Sequence, residues 1–168
     1  VLAWLPCYWR RVKRNVVIPL NNFIETIMCL AVYIATPKEI ETSTFVENET
    51  YFYCEKEKNI EKLKERFSYQ NIYYCGAYTG CSCGFNFNFD EEDDEEDKNE
   101  NVWGKQSLEE MFLFFRNYIN ELNEIEMFVC WEGDEDSEAE TNKIIKLSNF
   151  EFGRAFDFNQ REFVKIIK

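Results

Sequence analysis

The segment Gly80-Cys81-Ser82-Cys83-Gly84 is the constellation in this chain whose residue types and spacing best suit chemistry. Two thiols two residues apart can chelate one soft metal ion or exchange oxidation state, and flanking glycines permit the bent backbone that either task needs. Adding Cys75 gives C-x5-C-x-C, so Cys81, Cys83 and Cys75 are the candidate metal ligands. A structural zinc site takes four such ligands, and the fourth would come from Cys29, Cys54 or Cys130 across a sheet. The paired C-x2-C knuckles of zinc modules are absent, so the spacing by itself predicts no cofactor, zinc being the ion that a filled site would take. Strand parity offers a plainer account. In an extended strand Cys81 and Cys83 share a face with Phe85, Phe87 and Phe89 and serve as core.

Other chemistries narrow quickly. The chain contains no histidine, which removes Ser-His-Asp and Cys-His nucleophile systems and imidazole metal sites together. Neither G-x-G-x-x-G nor G-x4-G-K-[ST] occurs, so no glycine-rich phosphate cradle is expected. An EF-hand over the acidic run from Asp90 is excluded, because Glu95 stands where that loop needs glycine. Cys29 admits a sharper idea. If the protein starts at Met28 and loses it, Cys29 becomes an N-terminal residue whose amine could act as base to its own thiol, as in an N-terminal-cysteine hydrolase.

Charge narrows the partners. Of 168 residues, 32 are Asp or Glu and 19 are Lys or Arg, a net charge of −13 that argues against nucleic acid or an anionic membrane. The distribution is uneven. Within residues 1–27, Arg10, Arg11, Lys13 and Arg14 are balanced only by Glu25, so those residues read either as a genuine basic arm or as an extension ahead of the natural start, which is expected at Met28, directly before the apolar run CLAVYIAT. Neither a signal peptide nor an apolar run of spanning length is present, and the expected compartment is the cytoplasm. Seven cysteines, an odd number, then read as reduced thiols rather than a disulfide framework.

These residues need elements to position them. Cys29–Ala35 and Met127–Trp131 are apolar on both faces and read as inner strands. Tyr51–Glu55, Asn71–Cys75, the alternating run 83–89, Lys143–Leu147 and Glu162–Ile167 complete about seven strands. Ile60, Leu63 and Phe67 repeat at helical spacing and predict a short helix near 58–67. The Ser107–Glu110 capping box, followed by Leu108, Met111, Phe112, Phe115, Tyr118, Ile119 and Leu122, predicts a helix over 106–123. Residues 90–101 are expected as a solvated acidic loop. The expectation is one α+β domain over 28–168, a mixed or antiparallel sheet packed by two helices.

Three pieces, MCLAVYIAT at 28–36, IYYCGAYTGCSCGF at 72–85 and FVCWEGDE at 128–135, together resemble a family of small bacterial proteins of uncharacterised function. Members open with Met-Cys and an apolar strand and carry a Gly-Cys-x-Cys-Gly-Phe segment, here Gly80, Cys81, Cys83, Gly84 and Phe85. The resemblance covers about 28–168, omits 1–27, and implies a site at the cysteine segment but no activity. In such proteins an ordinary apolar residue is expected at Cys75. The leading expectation is a non-catalytic acidic protein that binds a basic protein partner, of the immunity or inhibitor type, with no stated oligomeric state. The alternative is a thiol-redox or metal-binding protein centred on Cys81 and Cys83, and the third is the Cys29 hydrolase.

Overall fold

Two long runs, 30–36 and 127–130, are apolar and buried on both faces, as only strands at the centre of a sheet can be, and they lie in its middle. The structure, a computed structural model, describes residues 29–86, 95–150 and 156–168. The basic extension 1–27, Met28, Phe87, Phe89 and the acidic residues 90–94 lie outside them. Among the described residues the elements are β1 (Leu30–Thr36), β2 (Phe52–Lys56), β3 (Asn71–Ala77), α1 (Glu95–Leu122), β4 (Glu124–Trp131), β5 (Thr141–Lys146) and β6 (Glu162–Ile167). The sheet runs in the order β2-β3-β1-β4-β6-β5. Every neighbouring pair is antiparallel except β5–β6, so the sheet is mixed.

Alternation along β1 sorts the core into two faces. Leu30, Val32 and Ile34 pack with Met111, Phe115 and Ile119 of α1. Ala31, Tyr33 and Ala35 face the other way, onto Leu63 and Phe67. No helix among the described residues is long and apolar enough to cross a membrane.

The α+β class and six of the expected strands are present, and three local expectations are corrected. Residues 58–67 do not form a helix. Ile60, Leu63 and Lys64 close hydrogen-bonded turns, and the stripe still does its work because Leu63 and Phe67 are buried under β1. Ten residues are too few to overcome the cost of helix nucleation without strong packing on a whole face. The second helix is longer than 106–123. It starts at Glu95, so the acidic stretch from Glu95 to Asn101 is helical rather than loop. Acidic residues favour a first turn, where the backbone dipole is positive, and no proline stops the helix from extending backwards. Ser107 is consequently an interior residue and caps nothing. Its hydroxyl donates to the Trp103 carbonyl one turn earlier (2.9 Å) and accepts the Tyr78 N–H (3.2 Å), tying the helix to the end of β3. At the other end Asn123 takes a left-handed conformation (φ 67°) and returns its N–H to Ile119 (2.8 Å), which ends the helix.

Candidate thiol centre

β3 ends at Ala77 and the chain turns back on itself. The Gly80 N–H donates to the Ala77 carbonyl (3.0 Å) and the Ala77 N–H to the Cys81 carbonyl (3.1 Å). Gly80 sits at φ +76°, a region that a β-carbon disfavours. Gly84 is required for a different reason. A β-carbon there would lie 2.7 Å from Thr79 Oγ1 and 2.9 Å from Ala77 Cβ. Between the two glycines Ser82–Phe85 form one 3-10 turn. This corrects the strand expected from residue 83, and with it the parity argument. At three residues per turn it is Ser82 and Phe85 that share a side, both buried, while Cys81 and Cys83 are aimed elsewhere.

Ser82 explains why the chain abandons the strand here. Its hydroxyl accepts the Val32 N–H of β1 (2.9 Å) and donates to the Cys75 carbonyl of β3 (2.6 Å). Its own N–H donates to the Tyr74 hydroxyl (3.1 Å), and the Tyr53 hydroxyl donates to the Gly80 carbonyl (2.8 Å). Two residues before Val32, on the same edge of β1, the Leu30 N–H donates to Cys83 Sγ (3.1 Å). The segment therefore continues the β1–β3 ladder with side-chain acceptors, one oxygen and one sulfur, where β3 has turned away.

The result brings three thiols together. The sulfur atoms of Cys29, Cys81 and Cys83 all lie within 4.8 Å of one another, with Cys81 buried and the other two half-buried. Thr79 Oγ1 donates to the Cys81 carbonyl (3.0 Å) and lies 3.4 Å from Cys81 Sγ, where it can accept the thiol proton. The structure thus brings Cys81 and Cys83 together with Cys29, which enters from β1's leading end.

Cys75 does not, and this overturns its place among the candidate ligands. It is fully buried on the helix side of the sheet, opposite Val32 and Cys54. Burial pushes its thiol well above the ordinary value, and the neighbouring Cys54 thiol adds to this. The site meets the Cys75 carbonyl, through Ser82, and not its sulfur. Cys130 is likewise no fourth ligand. It is buried opposite Ala31, and its sulfur is outside the 4.8 Å group; burial followed by the charges of Glu135 and Asp134 pushes its thiol up to about 12.

Sequence reasoning missed two residues. Ser82 is one, since a serine between two cysteines carries no signal of its own. Glu132 is the other. Its N–H donates to the Cys29 carbonyl (2.8 Å), extending the β1–β4 register one step past Leu30↔Trp131. Burial pushes its carboxyl up, and the nearby Cys81 and Glu135 push it the same way. Glu135 differs. Against the upward pull of burial, the Gly133 N–H, its own N–H and the Lys62 ammonium hold its carboxyl below the ordinary value. The pairing of β1 with β4, about a hundred residues apart, is what sequence periodicity could not supply. No model of a known protein family matches this chain, and no curated protein or solved structure does either.

Proposed function

We propose that this protein binds a soft metal ion through the thiolates of Cys29, Cys81 and Cys83, the ion joining the start of β1 to the turn that follows β3. The observation that carries the reading is the mutual approach of three sulfur atoms to within 4.8 Å. Ligands held about 2.3 Å from one tetrahedral ion stand about 3.8 Å apart, so closing on the ion needs movements of an ångström or less. A redox pair needs two sulfurs; a third within the same radius suits a ligand set. The Leu30 N–H on Cys83 Sγ orients that sulfur as outer-shell donors orient metal ligands. Competition for zinc against a chromophoric chelator tests the reading. The reduced full chain is expected to hold one equivalent, and Cys81→Ser and Cys83→Ser are expected to lose it. Equal retention by wild type and both variants would exclude the centre.

A second reading, contact with a basic protein partner, is supported by the charge: residues 28–168 hold 15 Lys and Arg against 31 Asp and Glu. It predicts an association rate that falls as ionic strength rises between about 0.01 and 0.15 M, where the screening length shrinks from about 30 to 8 Å. A rate independent of salt would contradict it.

A further inference from the structure

Three thiolates leave a tetrahedral ion one position short, and the residue opposed to Cys29 on the neighbouring strand is a glutamate, its carboxylate outside the 4.8 Å group of sulfurs and so needing a side-chain rotation to reach the ion. Cys29 and Glu132 are directly opposed across the β1–β4 pair, joined by the 2.8 Å bond from the Glu132 N–H to the Cys29 carbonyl. Opposed residues of a hydrogen-bonded antiparallel pair stand about 5.5 Å apart at Cα and send their side chains out of the same face. The Glu132 side chain therefore leaves the sheet on the same side as that of Cys29. It is half-buried, yet among the described residues its carboxylate has neither a cation nor a hydrogen-bond donor beside it, and the groups that act on it are Cys81 and Glu135. The contrast with Glu135, three residues on, is direct: that carboxylate takes the Gly133 N–H (2.9 Å) and Lys62 Nζ (3.3 Å).

We infer that Glu132 is the fourth ligand, completing a Cys3Glu site for a tetrahedral divalent ion of the zinc class. This rests on the three-thiolate reading above and deepens it. Three thiolates alone suit a monovalent soft ion such as copper(I); an added carboxylate oxygen shifts the preference to a divalent ion that accepts sulfur and oxygen together. The fourth donor also makes the ion a tie between the end of β4, β1 and the 80–84 turn.

Cobalt(II) separates the claims, because sulfur-to-cobalt charge transfer reports the thiolates and the ligand-field bands report the whole coordination sphere. Titration of the reduced full chain is expected to give a three-thiolate charge-transfer band with tetrahedral ligand-field bands. Glu132→Gln should keep the charge-transfer band, shift the ligand-field bands and weaken cobalt binding by roughly tenfold or more, since even outer-shell partners are worth that much. Glu121→Gln, an exposed carboxylate of α1 paired with Lys38, is the control and should leave both unchanged. Identical spectra and affinity for Glu132→Gln and wild type would overturn the Glu132 assignment alone. No charge-transfer band in wild type would overturn the three-thiolate centre and this inference with it.

Discussion

Ser82 determines where the sulfurs sit, because its hydroxyl is bonded on both sides to buried backbone, to the Val32 N–H and the Cys75 carbonyl. Removing it orphans one donor and one acceptor inside the sheet, and each buried group left without a partner costs about 1–3 kcal/mol. Ser82→Ala is therefore expected to lower the unfolding free energy by about 2–4 kcal/mol in urea titration, with the slope unchanged. A loss below about 0.5 kcal/mol would show that the 80–84 turn is held by its glycines alone. At this scale the sequence was informative about Gly80, Cys81, Cys83 and Gly84, whose types are unusual together. It misplaced Cys75, because the choice between Cys75 and Cys29 depends on cross-strand register. Cys75 stands opposite Val32 and Cys54 and so points at the helix, whereas the Cys29 sulfur lies with those of Cys81 and Cys83.

The elements are joined on the face away from α1 by a small polar cluster. The Tyr69 hydroxyl and Lys165 Nζ (3.0 Å) both donate to the Glu124 carboxylate, and the neighbouring Glu126 accepts the Ser68 N–H (2.7 Å). The Tyr69 bond first and Lys165 second hold the Glu124 carboxyl below its ordinary value. A carboxyl lowered in the folded state contributes stability that is present above the unfolded value and lost as pH falls through the folded one. Tyr69→Phe should therefore raise the pH at which Glu124 titrates by carboxyl NMR, and reduce the stability that is lost between neutral and acid pH. An unchanged Glu124 titration would show that Lys165 alone holds it.

The same face shows what an element's sequence does and does not reveal. The stripe Ile60, Leu63, Phe67 marked burial correctly and backbone wrongly, because turns can present the same three side chains as a helix. For α1 the apolar stripe located the packed part, and the acidic run hid the rest. Charge at a helix start is compatible with the helix, so polarity alone could not separate loop from first turns.

For the whole molecule, the α+β class followed from composition and periodicity, while the strand order did not. β1 is flanked by β3, some forty residues on, and by β4, nearly a hundred on, and local pattern carries no information at that separation. That topology brings the first strand's leading end, the turn after the third strand and the far end of the fourth to one end of the sheet's middle strands, where the three-part site is proposed. A net charge of −13 raises the local concentration of small cations as it repels anions, which favours the proposed ion. The measurement that tests the account most directly is the native mass of the full chain, reduced and purified without chelator in the presence of zinc, beside the same preparation of a Cys29, Cys81, Cys83 triple serine variant. The account predicts one zinc ion on the wild-type chain and none on the variant. A metal-free wild-type chain, or one ion on both, would contradict it.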